Sequence, residues 1–422
     1  MSFNTISVIG LGYIGLPTAA MIASRRVPVI GVDINREAVE TINQGRIHIV
    51  EPELDILVHA CVSEGFLRAT TTPEKADAFV IAVPTPFMDN HKPDLSYVRA
   101  ATEAIAPFLE AGNLIILEST SPVGTLEKMV DWLKQVRPDL RFPGDGAEEP
   151  QINLAYCPER VLPGHVVREL VENDRIIGGI TAACSDRACE FYRIFVKGEL
   201  LRTNSRTAEM AKLVENSFRD VNIAFANELS MICQKLDINV WDLIRLANHH
   251  PRVNILRPGA GVGGHCIAVD PWFIVDSAPE ESRLIRTARE VNDHKPEWVL
   301  EQLDRQVELF LNSNPERKGG KLKLGVLGLA FKPDIDDLRE SPALEIAQKL
   351  TEKNHLELLF VEPNIKQIPT ELSKYPLVDL PVVCEKADIL IVLVAHREFS
   401  KLSENISPEK VVLDVVGELT NR

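Results

Sequence analysis

The chain has 422 residues, 45% of them hydrophobic and 25% charged, the composition of a globular protein long enough for two or three domains. A formal net charge of -15 opposes the approach of nucleic acids and anionic membranes, so neither is expected as a partner, and any anionic ligand must meet a local basic site. The seven cysteines are scattered with no CxxC pair, MSFNTISVIG has no basic stretch before an apolar run, and no segment reaches roughly 18 apolar residues, so a soluble, cytoplasmic protein is expected.

In chain order, the apolar run at 6–9 (ISVI), a glycine-rich turn, a helical segment and a second run at 27–33 (VPVIGVD) make a βαβ opening. Strands are expected again at 79–84, 114–120 and 152–159, alternating with helices, which implies a doubly wound parallel sheet. The stretch 138–150 has prolines, glycines and acids without periodicity and reads as a surface loop. A long helix follows from about Ser205 to Asp237, with Leu213, Val214, Phe218, Val221, Phe225 and Leu229 on its expected apolar side. After SNPERKGGK a second strand pattern runs through 322–331, 356–363, 388–395 and 410–417. The fold class expected is α/β, two Rossmann-like domains joined by a helical middle, with domains at 1–204, 205–316 and 317–422.

Gly10, Gly12 and Gly15 form GxGxxG directly after the first strand, and Asp33 ends the second. The first glycine permits the tight turn, the second lets backbone approach a pyrophosphate, and the third allows close packing where the helix dipole favours phosphate. Asp33 suits a ribose and repels a 2'-phosphate, which points to NAD; Arg36 nearby speaks the other way. Thr85 in VPTP and Thr120 in ESTSPVG lie just past strand ends, where ligands of open sheets collect, although each is equally an ordinary turn hydroxyl.

In GAGVGGHCIAVDPW at 259–272, four glycines crowd Cys266, which lies four residues before Asp270. A cysteine taken at random is a small buried hydrophobe, but this glycine setting favours a nucleophile able to add to an aldehyde, with His265 and nearby charges setting its thiolate fraction. On the long helix Lys212, Asn216 and Arg219 fall at i, i+4 and i+7, within about 60 degrees around the axis. Such a stripe is ordinarily a solvated face, yet so acidic a chain must gather positive groups to hold an anion. Arg160, Arg252, Lys332 and Arg339 are further candidates. No metal-ligand set is expected.

Taken together, GLGYIGLP, VPTP, ESTSPVG, YCPER, AEMAKLVENSFRDVNIAFANE, GVGGHCIAVDP and GLAFKPDIDDLRES resemble the nucleotide-sugar 6-dehydrogenase family in order over essentially the whole chain. YCPERVLPG and GGHCIAVDPWFI are similar to its UDP-N-acetylhexosamine branch more than to the UDP-glucose branch. The resemblance implies a homodimer that oxidises UDP-N-acetyl-D-mannosamine with NAD to the uronate, for surface polysaccharide such as enterobacterial common antigen. It implies Cys266 as nucleophile, Lys212 and Asn216 as oxyanion donors, and Asp270 and Glu159 in proton transfer and water activation. Arg160, Val161, Lys212, Asn216, Arg219, His250, Arg252, Gly263, Phe331 and Lys332 would line the UDP-sugar site, Arg252 reaching the neighbouring subunit. Gly10, Gly12, Tyr13, Ile14, Gly15, Asp33, Thr85, Thr120 and Arg339 would meet NAD. One departure stands out: a DxKG or DxRG element is usual in the family, and this chain has Asp414, Val415, Val416, Gly417.

Overall fold

The computed structural model describes residues 3–49, 51–88, 91–144, 150–161, 164–264, 266–407 and 409–419. Of the loop expected at 138–150, residues 145–149 lie outside the described residues, as does His265. The chain divides into two compact units, 1–215 and 216–422, with the division inside the helix Ser205–Lys235.

The first unit holds a sheet of eight strands: β1 (Ile6–Ile9), β2 (Val29–Val32), β3 (Leu67–Thr70), β4 (Ala78–Ile81), β5 (Leu114–Leu117), β6 (Asn153–Tyr156), β7 (Arg175–Gly179) and β8 (Leu200–Asn204). Their order is β3-β2-β1-β4-β5-β6-β7-β8. The first six run parallel, while β7 pairs antiparallel with β6 and parallel with β8. Strands β1, β2, β4 and β5 are buried at every position, because helices cover both faces and each face needs its own apolar side chains. The alternation is strict: Val8, Val80, Leu114 and Ile116 enter one core, and Ile9, Phe79, Ile81, Ile115 and Leu117 the other. Order reverses at β1, so the crevice at the carboxyl ends of β1 and β4 is the switch point where a ligand fits.

The second unit holds a parallel sheet of four strands, β9 (Leu322–Leu327), β10 (Leu356–Val361), β11 (Ile389–Val392) and β12 (Val411–Asp414), in the order β10-β9-β11-β12. It repeats the opening of the first sheet, down to a glycine after the first strand, Gly328, at φ +95°. There Glu362 follows the second strand, as Asp33 does in the first unit, but it is buried. It accepts the N–H groups of Leu329 at 2.7 Å and Ala330 at 3.0 Å, with His396 Nε2 at 3.0 Å. Burial works to raise this carboxyl group, and His396 and the two amides outweigh it, holding it at about 2.

The helix Ser205–Lys235 corrects one expectation. Of the six residues assigned to its apolar side only Leu213 is buried; Val221 and Leu229 are half-buried, and Val214, Phe218 and Phe225 are exposed. Beyond residue 215 its buried face is instead small and polar: Ser217, Asp220, Ala224, Asn227 and Ser230. This face meets the helix Arg283–Ser313 through Asp220 with Arg289 (2.7 Å), Asn227 with Asn292 (2.9 Å) and Ser230 with Lys295 (2.5 Å). Polar groups occupy the seam because each finds a partner there, and the large hydrophobic residues are left on the outside.

Candidate active site

In the first unit the turn after β1 is shaped by close approach. Gly10 has φ +91°, and a Cβ there would lie 2.5 Å from the Ala82 carbonyl oxygen; one on Gly15 would lie 1.8 Å from that of Gly10. A Cβ on Gly12 would meet nothing within 4 Å. Crowding at two glycines and open space at the third fit a dinucleotide pyrophosphate at the start of the helix Gly15–Ala23. Asp33 Oδ2 accepts the Leu11 N–H at 2.8 Å, which ties the end of β2 to this turn. Tyr13 is exposed and Ile14 half-buried beside it. The Thr85 hydroxyl donates to the Thr120 carbonyl, so the loops after β4 and β5 are joined at the two threonines singled out in the sequence. Asp33→Ala should cut the ratio of kcat/KM for NAD over NADP by roughly tenfold or more. A parent enzyme that prefers NADP would overturn the assignment of Asp33.

The long helix is keyed to this unit by Glu209, which is buried and accepts the N–H groups of Gly124 (2.6 Å) and Leu126 (2.9 Å). Burial pushes its carboxyl group up to about 7 against the pull of those amides. Lys212, half-buried, follows three residues later on the helix. Glu159 is buried after β6, with Arg175 Nη2 at 2.7 Å from Oε2 and the Arg160 N–H at 2.7 Å from Oε1. The Arg160 side chain pairs with Glu215 at 2.8 Å and donates to the Asp174 carbonyl; Val161 packs partly buried on the core.

In the second unit the glycines have an equally specific cause. A Cβ on Gly263 would lie 2.3 Å from the Glu340 carbonyl oxygen and 2.8 Å from Phe331 Cβ, and one on Gly264, at φ +82°, 2.7 Å from the Phe331 ring. The cysteine loop therefore lies against both the FKP and RES segments, bringing Gly263 to Phe331 and beside Arg339, whose carbonyl accepts the Gly264 N–H. Lys332 and Arg339 are exposed there, Arg339 forked onto Asp337. Cys266 is the exposed cysteine of the seven, and its carbonyl accepts the Asp270 N–H at 2.9 Å, starting the helix Asp270–Ser277. Asp270 is buried, and Asn216 Nδ2 donates to it at 2.5 Å, which fixes the amide one helical turn beyond Lys212. Arg219 is exposed on the same helix, and His250 and Arg252 stand exposed on the turn after the helix Val240–Ala247. Val416, at the DxKG departure, is buried among apolar side chains, while Asp414 accepts the Val416, Gly417 and Leu419 N–H groups.

Sequence reasoning passed over Glu118, Arg175 and Tyr192, which form one buried cluster, and the Asp220–Arg289 pair. Glu118 stands directly before Ser119 and Thr120 in a motif already singled out, which was the available signal.

A switch-point crevice built for a pyrophosphate, in a chain that also carries a glycine-wrapped, exposed cysteine, defines a dinucleotide-dependent oxidoreductase. Models of the UDP-glucose/GDP-mannose dehydrogenase family match as its NAD binding domain at residues 4–196, central domain at 206–294 and UDP binding domain at 325–421. The chain is 60% identical over 99% of its length to the UDP-N-acetyl-D-mannosamine dehydrogenase of Escherichia coli K12, of which it covers 99%. It is also 60% identical, over 99% of its length and 96% of the relative, to the NDP-N-acetyl-D-galactosaminuronic acid dehydrogenase of Ralstonia nicotianae. Among solved structures, the UDP-D-ManNAc dehydrogenase of Pyrococcus horikoshii aligns with a TM-score of 0.86 at 37% identity, covering 99% of this chain and 96% of that one. The chain belongs to the UDP-glucose/GDP-mannose dehydrogenase family and is an NAD-dependent oxidoreductase.

Proposed function

We propose that this enzyme oxidises C6 of UDP-N-acetyl-D-mannosamine to the carboxylate in two NAD-dependent steps, in the cytoplasm, for surface polysaccharide such as enterobacterial common antigen. The observation that carries the reading is full-length identity of 60% to a UDP-N-acetyl-D-mannosamine dehydrogenase, in a chain whose Cys266, Asn216 and Asp270 lie on adjoining, hydrogen-bonded elements. Equal identity to the Ralstonia galactosaminuronic acid enzyme supports a second reading, oxidation of another UDP-N-acetylhexosamine. Three domains, 1–204, 205–316 and 317–422, carry cofactor, chemistry and UDP in this proposal.

NAD, when bound at the Gly10–Gly15 turn, supplies the hydride acceptor for both oxidations. The chain supplies the rest. The Cys266 thiolate adds to the C6 aldehyde, so the reactive carbonyl is held covalently as a thiohemiacetal until it becomes a thioester. Lys212 and Asn216 donate to the oxyanion at each tetrahedral stage; Asn216 already spends one N–H on Asp270, which sets the direction of the other. Asp270 and Glu159 serve proton transfer and the water that releases the acid and restores the thiolate. The family resemblance assigns contacts with the sugar nucleotide to Arg160, Val161, Arg219, His250, Gly263, Phe331 and Lys332. Counting NADH formed per molecule of UDP-N-acetyl-D-mannosamine, UDP-N-acetyl-D-galactosamine and UDP-glucose tests the proposal. Two per molecule, with the highest kcat/KM for the manno sugar, is expected; one per molecule overturns the four-electron reaction.

The enzyme acts as a homodimer in this proposal, supported by the apolar stripe left exposed on the long helix, where Phe218 is 69% and Phe225 52% exposed. Phe218→Glu with Phe225→Glu should convert a dimer to a monomer by light scattering. Arg252 would complete the partner's site, so mixed Arg252→Ala and Cys266→Ala chains should regain activity that neither homodimer has. Hybrids that stay inactive would remove Arg252 from a shared site.

A further inference from the structure

Behind Glu159 lies a buried charge cluster built from four separate elements of the first unit. Arg175, at the start of β7, is 3% exposed; its Nη2 is 2.7 Å from Glu159 Oε2, and its Nη1 is 4.0 Å from Glu118 Oε1. Its guanidinium lies over the rings of Tyr192 at 4.9 Å and Phe195 at 5.7 Å. Glu118, at the end of β5 and also 3% exposed, accepts the Tyr192 hydroxyl at 2.7 Å, with Thr18 of the phosphate-turn helix at 3.5 Å. The other titratable group facing the cluster is Cys157, fully buried after β6, with its sulfur 4.0 Å from Arg175 Nη1.

Two carboxyl groups thus share one guanidinium away from water, where an uncompensated charge is costly. The cation is hydrogen-bonded to Glu159 at 2.7 Å and only ion-paired with Glu118, at 4.0 Å. We propose that Arg175 is a positioning residue for Glu159 and that Glu118 balances the cluster by holding a proton, so that its ionisation sets up competition for Arg175 between the two carboxylates. The direction of the titration agrees. Burial pushes Glu118 up to about 7 against the pull of Arg175, while burial raises Cys157 to about 12 and takes Tyr192 well above its ordinary value, leaving both neutral. Because Glu118 directly precedes Ser119–Thr120 and lies beside Thr18, the competition links the proposed cofactor loops to Glu159. Its catalytic consequence rests on the role proposed above for Glu159.

The experiment uses the whole enzyme and the pH dependence of both its infrared spectrum and its kcat. The parent should show a protonated-carboxyl carbonyl band that is lost on crossing pH 7, and a matching inflection in kcat. Glu118→Gln, an isostere of the protonated form, should lose both; Glu159→Gln, which frees Arg175 for Glu118 and removes a neighbouring negative charge, should shift the loss of the band to lower pH. Arg175→Met should lower kcat roughly a hundredfold with KM for the sugar moving less, and Arg175→Lys should recover to within about tenfold of the parent. If Arg175→Met fails to fold, the Lys variant and the two glutamine variants still decide. A band that titrates unchanged in Glu118→Gln overturns the assignment of the proton, and one that titrates at the parent pH in Glu159→Gln overturns the competition for Arg175. Near-parental acid production by Glu159→Gln would remove the catalytic role of Glu159 while the infrared result for Glu118 stands.

Discussion

Cys266→Ala should abolish acid formation, lowering its rate by at least roughly 10³-fold, the scale on which removal of a covalent nucleophile acts. The substitution is clean in physical terms. The side chain is exposed, so its loss opens no cavity, and the turn into the helix Asp270–Ser277 is closed by the backbone carbonyl of residue 266, which alanine keeps. The Asn216–Asp270 hydrogen bond is made by atoms outside residue 266. Unfolding in urea should therefore match the parent within about 0.5 kcal/mol. NADH-dependent reduction of a supplied aldehyde should persist, because hydride transfer needs no thiol. In the parent, acid quenching during turnover should leave added mass on the Cys266 peptide. Near-parental acid production by Cys266→Ala, still with two NADH per sugar, would show the thiol to be structural and the covalent route wrong.

Arg289→Ala should be the most destabilising of these substitutions, by about 3–5 kcal/mol, because it strands one partner of a buried ion pair. Arg289 and Asp220 are both buried, joined at 2.7 Å, and Asn292 is the other donor to that carboxylate, at 2.8 Å. Burial already raises the Asp220 carboxyl group, with Arg289 the chief force opposing it. A carboxyl group raised in the folded protein favours the fold when protonated, and that contribution is lost as pH climbs from the unfolded value through the folded one. The deficit of Arg289→Ala should accordingly be largest at neutral pH and shrink on acidification. Asp220→Asn combined with Arg289→Met removes both charges and should restore at least half of the loss, measured by urea unfolding at both pH values. A single variant as stable as the parent at neutral pH would show that the pair does not hold the two long helices together.

The sheets were legible in the sequence where burial on both faces demanded unbroken apolar runs, as in ISVI, LIIL and ILIV. Strands β3, β7 and β8 escaped because their sequences, LRAT, RIIGG and LLRTN, mix exposed positions, a buried arginine or two glycines into the run. The helix Ser205–Lys235 was found almost to its ends, yet its buried face was misjudged. Periodicity locates an apolar stripe but says nothing of what covers it, and here Asp220 and Asn227 turn inward because Arg289 and Asn292, far along the chain, are there to meet them. The candidate site was legible for the opposite reason. Glycines crowding one cysteine record a steric demand, and the atoms making that demand are Phe331 and the Glu340 carbonyl.

The acid after the second strand of the C-terminal sheet has a consequence for redesign. Glu362 occupies the topological place of a ribose ligand, but it serves as an internal staple, bound by two amides of the first turn and by His396. Turning this half into a second dinucleotide site would first require replacement donors for Leu329 and Ala330 and a new partner for a buried imidazole. A single substitution there would unpin the turn before any adenosine reached it. Inheritance of a fold thus carries the acid's address, and the neighbours decide its occupation.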